Sequence, residues 1–480
     1  MRPLTYHTYS HKSKLLLPLA LLGAIGMGWL TARTGIILPG LLVVIPIVIA
    51  SVMLLFNNLR MGMVVLIAYG FLLFFFMRRI PGLPLSYLFE GLLMLLWLGV
   101  LFHRSLVIEW QLVRNDLVYL ALAWMGISIL QFLNPYGASL AGAVSEIRGT
   151  ALGWVLVVPL GFILFNKKED LDLFLCCILG FSLFAALWGI KQLHIGLDAA
   201  DQRFLDEGGA VTHVLFGKLR VFSIYSDAGQ FGASQAQMCL VALILALGPF
   251  KTRLKILLAV AAAILLYGML ISGTRGAMFV LIPGIFVALF LSKKIRILLI
   301  GGLIACSAFG LLKYTTIGHS NYHIHRLRTS VNPEDESLNL RFHNQKILGN
   351  YLKDYPFGGG LGVIGYNGHK FNPDKFLSTV EPDSYWVKIW AMYGIVGFVI
   401  WLGFMLFILG KCGGIVWSIQ NEALRYKLLA LTAGSAGILF CSYGNEVINV
   451  FPSALVVFLS WVFVYLGPHF DKQLNTSTHE

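Results

Sequence analysis

The stretch STVEPDSYWVKIWAMYGIVGFVIWL, residues 378–402, joins two kinds of sequence that seldom meet. Its second half is a predominantly apolar run that, with the residues after it, is long enough to cross a membrane as a helix. Its first half places two carboxylates, Glu381 and Asp383, on either side of a proline where that run begins. Either Asp383 or Ser384 caps the helix, or the acid belongs to a reaction site.

The composition of the whole chain matches the apolar half of this stretch. Of 480 residues, 58% are hydrophobic and 12% are charged, and the mean hydropathy is +0.78. Water-soluble domains carry about 25% charged residues, so a soluble protein is excluded. The sequence predicts an all-α, polytopic integral membrane protein with about 12–14 transmembrane helices and a large, partly helical extracytoplasmic loop.

Apolar runs define about fourteen spans, or twelve if a pair near residues 85–165 is merged or re-entrant. The first begins near Leu15 and is interpreted as a retained helix, because no small-residue cleavage site follows it. The predicted spans are 15–31, 36–56, 61–77, 85–102, 116–133, 150–165, 171–190, 230–249, 254–272, 276–291, 296–312, 385–410, 426–441 and 451–467.

Basic residues predict the orientation of these spans. With the N-terminus inside, one set of short connections carries eighteen lysines and arginines, and the opposite set carries five, namely Arg33, Arg78, Arg79, Arg148 and Arg275. The basic set is expected to be cytoplasmic, and the pair Arg78–Arg79 is the one local conflict. The net charge of +13 therefore reflects topology, and no nucleic-acid partner is expected.

This orientation divides the chain into membrane segments and two long external loops. Loops beyond about 12–15 residues are usually functional or disordered, so both loops are candidate sites. The segments are the N-terminal membrane helices at 1–190, an external loop at 191–229, central membrane helices at 230–312, a large external loop at 313–384, and the C-terminal membrane helices with a short cytoplasmic tail at 385–480.

Four charged residues on separate segments are predicted to meet at the external face: Arg220, Arg275, Arg341 and Asp383. Each also has a plain interpretation. Arg341 belongs to a predicted amphipathic helix at 340–356 and is a solvated charge if that helix rests on the membrane surface. Arg275, between two glycines in a short turn, is a snorkelling interfacial arginine in the plain interpretation.

Arg220 precedes further polar residues at the entrance of the span at 230–249. Ser226 or Asp227 is a helix cap in the plain interpretation, but with Gln230 they form a polar group that is costly in a membrane without water or partners.

Glycines punctuate the second external loop. The run YPFGGGLG, residues 355–362, predicts a tight turn in which glycine lets the backbone approach a neighbour closely. The overlapping GLGVIG at 360–365 fits the dinucleotide pattern, but no strand precedes it and no βαβ unit surrounds it, so nucleotide binding is not expected.

The four charged residues suit one kind of chemistry. Arginines can clamp a diphosphate and stabilise it as it leaves, without a metal or a cofactor. A carboxylate or a histidine can take the proton from an attacking sugar hydroxyl. A lipid-diphosphate sugar that enters laterally between helices would meet both groups.

Four segments, in order, resemble the O-antigen ligase and O-antigen polymerase superfamily of bacterial membrane glycosyltransferases. They are LRVFSIYSDAGQFGASQA (219–236), SGTRGA (272–277), RFHNQKILGNYLKDYPFGGGLG (341–362) and PDSYWVKIWAMYGIVG (382–397). The resemblance implies a glycan donor on undecaprenyl diphosphate, a glycan or lipid acceptor, contact with membrane lipids, and a site at the periplasmic face of the inner membrane.

By the same resemblance, Arg220 and Arg341 bind the carrier diphosphate. In the ligases a histidine–asparagine pair tends to open the helix of the fourth motif, and that histidine is the proposed base. Here Asp383 and Ser384 fill those positions. The base is therefore Asp383, or else His343 or His369 from the loop. The acid–polar pair resembles the polymerase-like branch, and ligase and polymerase both stay open.

The candidates are thus divided by role. The catalytic candidates are Asp383, Arg341, Arg220 and His343, and the substrate-binding candidates are Arg275, Asp227, Gln230, Ser384 and His369, with no metal ligands. Two rival functions are a lipid-linked-glycan transporter or flippase and a non-catalytic scaffold. A transporter usually shows charges or broken helices at mid-membrane, whereas the spans here read as almost charge-free apart from border residues such as Glu90 and Glu446.

Overall fold

A computed structural model describes residues 56–103, 107–137, 139–215, 217–293, 307, 310, 314–315 and 336–476. The predicted spans 15–31, 36–56 and 296–312 lie outside these residues apart from single positions, as does the predicted start near Leu15. The eleven other predicted spans all occur as helices.

The described chain is built from helices and one short hairpin. The α-helices are α1 (Leu59–Arg79), α2 (Leu85–Phe102), α3 (Trp110–Val113), α4 (Asp116–Leu130), α5 (Leu140–Ile147), α6 (Gly153–Leu164), α7 (Lys168–His194), α8 (Ala199–Phe204), α9 (Ala210–His213), α10 (Ala228–Ala246), α11 (Thr252–Ile271), α12 (Met278–Leu291), α13 (Glu336–Leu352), α14 (Gly365–Phe371), α15 (Tyr385–Ser418), α16 (Glu422–Cys441), α17 (Ser453–Tyr465) and α18 (Gly467–Thr476). Single turns of 3-10 helix occur at Gln131–Leu133, Arg275–Ala277 and Phe376–Thr379, and π-helix occurs at Arg148–Leu152 and Leu205–Gly209. Strands β1 (Val214–Leu215) and β2 (Lys218–Leu219) pair antiparallel.

The all-α polytopic class is confirmed. Within the described ranges nine helices are long and apolar enough to cross a membrane, and the bent pair of α17 and α18 would make a tenth. The predicted span at 150–165 starts earlier than expected, because α5 runs through a π-helical turn into α6 to give one span over Leu140–Leu164. The total of twelve to fourteen and the segment boundaries stay predictions.

The centre of the bundle is formed by α10 and α16, whose side chains are buried almost throughout. Small residues let their neighbours approach closely, as is usual between membrane helices. A Cβ on Gly284 of α12 would come within 2.9 Å of the Ala433 carbonyl oxygen, and one on Gly437 would overlap the Val280 carbonyl. The polar side chain of Thr432 donates to the Leu428 carbonyl within its own helix at 2.9 Å, so that burying it leaves no open donor.

Helix α15 is broken at Gly394, which has φ 68° and ψ −173°. The predicted glycine turn fills the break. Gly359 and Gly360 donate their N–H groups to the carbonyls of Ala391 and Met392 at 2.9 and 3.0 Å, and Val396 donates to Pro356 at 3.2 Å. The prediction that glycine there permits close backbone approach is confirmed, because the turn supplies the hydrogen bonds that α15 loses at the break.

Arg78 and Arg79, the local conflict in the charge pattern, are paired with acids of the loop at 191–229. Arg78, whose side chain is 7% exposed, binds Asp201 at 3.1 Å and the Tyr225 carbonyl at 2.6 Å. Arg79 pairs with Asp198. Both arginines are therefore neutralised by partners far along the chain, which the order of the sequence does not reveal.

Candidate active site

The upper end of the bundle, where α1 ends and α10 and α15 begin, is held together by residues 442–452, here called the joining segment. Its Ser442 carbonyl accepts from the Tyr385 N–H at 2.9 Å. Its Val450 carbonyl accepts from the Gln230 side chain at 2.9 Å. Just before it, the Cys441 thiol contacts the Gly276 carbonyl at 3.2 Å. One segment therefore gathers the entrances of α10, α12 and α15.

Arg341 and Asp383 face each other at this end. The Arg341 Nε atom lies 3.9 Å from Asp383 Oδ2, and the two side chains are 30% and 45% exposed. Arg341 is carried by α13, which packs on α15 through buried Leu348 and through Gly349 against Trp390. Its guanidinium also reaches Gly444 of the joining segment. Arg341 is thus only partly exposed and turned towards an acid.

Ser384, and not Asp383, caps α15. The Ser384 hydroxyl accepts from the Val387 N–H at 3.3 Å. Asp383 has φ 47°, a left-handed conformation that is uncommon outside glycine but is tolerated by aspartate and asparagine. Strained residues of this kind cluster at functional sites. Asp383 therefore does not cap α15, and its carboxylate is available for another role.

The protonation of Asp383 follows from its surroundings. Partial burial raises the pKa of the Asp383 carboxyl, the Arg341 guanidinium opposes this by favouring the charged form, and the nearby Glu381 carboxylate raises the pKa further. A carboxyl whose pKa is raised towards the working pH is better suited to accept a proton than an ordinary aspartate.

Arg220 binds the turn between α11 and α12 that carries Arg275. Arg220 donates to the Thr274 hydroxyl at 3.0 Å and to the Thr212 carbonyl at 2.9 Å. Its own N–H donates to the His213 carbonyl at 2.7 Å. Arg275 follows Thr274 directly and is half-buried. The turn next contacts the joining segment, since a Cβ on Gly276 would overlap the Asn445 side chain.

A continuous row of contacts thus joins the segments that carry the four predicted charges: Arg220 to the Thr274–Gly276 turn, that turn to Asn445, and Gly444 to Arg341, which faces Asp383.

Asp227 and Gln230 hold the entrance of α10. Asp227 is the N-cap, accepting from the Gln230 N–H at 2.9 Å, while the Ser226 hydroxyl donates to its other oxygen at 2.7 Å. Gln230 is 1% exposed and is bound to the joining segment. Asp227 therefore fixes the start of α10, and Gln230 ties that start to the joining segment.

The two loop histidines are placed differently from Arg341. His343 follows Arg341 by two residues on α13, which turns it by about 200° to the other side of the helix, and it is exposed. His369 of α14 contacts the Glu381 carboxylate at 2.7 Å, with both side chains at least half exposed. His369 therefore reaches Asp383 only through Glu381, and His343 points away from it.

A comparison with known protein families matches part of this chain. The O-antigen ligase family model matches residues 260–402, a range that runs through this cluster. The resemblance predicted from four motifs is confirmed for this region, which contains Arg275, Arg341 and Asp383. No curated protein matches the chain significantly. The match supports a membrane protein that ligates or polymerises glycans.

The matched region also contains a buried charge that was not predicted from the sequence. Lys388, one turn into α15, is 6% exposed and its Nζ lies 3.1 Å from both Glu146 and Glu446. A similar pair joins Arg148 to Glu90 with two hydrogen bonds of 2.7 and 2.8 Å. The signal for Lys388 was present in the opening stretch as the single lysine of WVKIW, since a charge inside a span needs a partner.

Among the residues that the structure describes, no group of three or more histidine, cysteine, aspartate and glutamate side chains could hold a metal ion. The charged groups at the upper end of the matched region include arginines and the neighbouring carboxylates of Asp383 and Glu381. The arginines can bind an anion, and a carboxylate can accept a proton.

Proposed function

We propose that the chain is a membrane glycosyltransferase that takes a glycan from undecaprenyl diphosphate and joins it to a hydroxyl of a glycan or lipid acceptor, as an O-antigen ligase or polymerase does. The observation that carries the proposal is the opposition of Arg341 and Asp383 at 3.9 Å, an anion-binding group beside a proton acceptor. Their position in the matched region supports it.

In the proposed reaction, the acceptor oxygen attacks the anomeric carbon of the donor sugar, and Asp383 takes the proton of that hydroxyl. The bond between the anomeric carbon and the phosphate oxygen breaks, and undecaprenyl diphosphate leaves with the bonding electrons. Arg341, with Arg220 and Arg275 further along the row, stabilises the negative charge that develops on the diphosphate. We place this upper end at the periplasmic face of the inner membrane, as the charge pattern predicts.

Arg341→Ala is expected to lower product formation by about 10²–10³-fold, because the leaving diphosphate loses a preorganised cation. Arg341→Lys should recover little of this loss, since a lysine offers a point charge in place of the bidentate fork. The measurement is gel and mass-spectrometric analysis of glycans from cells that carry each variant in place of the wild-type protein.

Lys346→Ala is the matched control, because Lys346 is an exposed cation on the same helix. It should leave the product unchanged, whereas Arg220→Ala should act like Arg341→Ala. Single repeats in place of long chains would identify a polymerase, and full-length chains left on the carrier would identify a ligase. Wild-type product from Arg341→Ala at wild-type protein level would contradict the proposal.

Glu381→Gln is expected to change the pH dependence of transfer. Asp383 accepts a proton only as the carboxylate, so kcat/KM should fall as the pH drops below its pKa, which is raised above that of an ordinary aspartate. Glu381 contributes to that rise, so removing its charge should move the acidic limb to lower pH. The pH–rate profiles of wild type and variant measure this, and a limb that stays in place or moves upward would argue against Asp383 as the base.

A transporter is the second candidate, because α15, a candidate membrane span, is broken at Gly394 and carries the buried Lys388. However, the carbonyls of Ala391 and Met392 at the break are bound by Gly359 and Gly360, which leaves less of the backbone for an ion. Proteoliposomes separate the functions: a transporter moves lipid-linked glycan between leaflets without an acceptor, and the proposed enzyme consumes it only when an acceptor is added.

A further inference from the structure

Three charged side chains from distant segments meet below Asp383. Lys388 of α15 lies between Glu146 of α5 and Glu446 of the joining segment, with both N–O distances at 3.1 Å. Lys388 and one glutamate would form a neutral pair. The second glutamate leaves an excess negative charge in a largely buried position, which is unfavourable unless another group meets it.

The two glutamates are not equivalent. The Glu146 side chain is 3% exposed, and its second oxygen accepts from Asn367 at 2.7 Å. The Glu446 side chain is 28% exposed, and only its Oε2 atom contacts Lys388. Its Oε1 atom lies near Gly365, and the ring of Pro382 lies near the same glycine. Glu446 therefore presents one oxygen to the side of the site where Asp383 lies.

Buried amide groups in the joining segment, or bound to it, also lack hydrogen-bond partners within the described residues. Gln230, 1% exposed, donates to Val450 of the joining segment, yet no donor in the described residues reaches its Oε1 atom. The Asn449 Oδ1 atom in the same segment is likewise buried without a donor. The Asn445 Nδ2 atom of the same segment is a buried donor that lacks an acceptor among the described residues. Buried polar groups are normally satisfied, so these open acceptors and this open donor point to a ligand whose hydroxyl groups both donate and accept.

We propose that Glu446 binds a hydroxyl of the acceptor glycan, and that Lys388 is the positioning residue that fixes its carboxylate. The ligand class is a hydroxyl-rich sugar, because a hydroxyl can donate to the Glu446 carboxylate and to the open amide acceptors and can accept from the open Asn445 donor. This proposal rests on the proposed function and assigns the acceptor side of the site, while Arg341 serves the donor. Lys388 fixes Glu446 by holding one oxygen and leaving the other to the sugar.

The test compares Glu446→Gln with Glu146→Gln in the purified full-length protein. Each variant removes one carboxylate from Lys388 and keeps the side-chain shape. Because Glu146 is more buried and also accepts from Asn367, Glu146→Gln should lower the melting temperature at least as much as Glu446→Gln, so a loss of stability does not explain a larger kinetic effect of Glu446→Gln. The rate is measured with lipid-linked glycan from the same cells as donor, against increasing amounts of the glycan fraction extracted from cells that lack the protein. Glu446→Gln should raise the half-saturating amount of that fraction at least tenfold with little change in maximal rate, and Glu146→Gln should leave it unchanged.

Binding of undecaprenyl diphosphate, measured by thermal shift, separates this proposal from the proposed function. Glu446→Gln should keep that binding, and Arg341→Ala should lose it. If Arg341→Ala is inactive while both glutamine variants change half-saturation equally or not at all, the Glu446 assignment fails and the proposed function stands. A loss of maximal rate in Glu446→Gln at unchanged half-saturation would also overturn it, since Glu446 would then act on the proton. If Arg341→Ala keeps wild-type activity, the proposed function itself fails.

Discussion

Replacing Asp383 with asparagine is expected to lower glycan transfer by about 10²–10⁴-fold, the usual contribution of a general base. Asparagine keeps the size of the side chain and tolerates the left-handed backbone at φ 47°. Ser384 caps α15, so the helix start is untouched. The variant should therefore fold normally and fail in chemistry, which a transfer assay on protein of matched melting temperature measures.

Variants of His343 and His369, the two other candidates for the base, are compared with Asp383→Asn. His343→Ala changes an exposed side chain that points away from Asp383, and His369→Ala removes a partner of Glu381 and not of Asp383. Both should retain most of the activity. If His343→Ala abolishes transfer and Asp383→Asn does not, the base is the histidine, and the pairing of Arg341 with Asp383 is structural.

Gly394→Ala is expected to destabilise the protein by at least about 3 kcal/mol, enough to prevent accumulation of folded protein. Its backbone lies in a region that is essentially restricted to glycine, at φ 68° and ψ −173°. An added Cβ would also overlap the Pro356 carbonyl oxygen and the Gly358 nitrogen. Because the glycine turn could no longer dock, the large loop would lose its attachment to α15.

Gly403→Ala is the matched control in the same helix. A Cβ at Gly403 meets nothing within 4 Å, so alanine should be neutral or stabilise by up to about 1 kcal/mol. Thermal unfolding in detergent and limited proteolysis of the loop are the measurements. Equal melting temperatures for the two variants would show that the break in α15 is dispensable.

The positions of the helices were predictable because each span must satisfy its own backbone and present apolar side chains to lipid. That requirement is local, so apolar runs such as 61–77 and 254–272 appear as α1 and α11 nearly unchanged. The four motifs were also predictable, since their residues are adjacent in the chain. That the four motifs meet in space was only an expectation from the predicted topology, which places their loops at the same end of the bundle.

Other features required the tertiary structure. No local signal distinguishes Asp383 from Ser384 as the cap, because the choice depends on a left-handed backbone stabilised by packing against the joining segment. The partners of Arg78 lie 123 or more residues away, and those of Lys388 lie on two other segments. The sequence alone determined the class of protein, the eleven spans that lie within the described residues, and the charged residues. Only the fold decided which charges meet, since ion pairing depends on distances of a few ångströms between residues that the chain order does not relate.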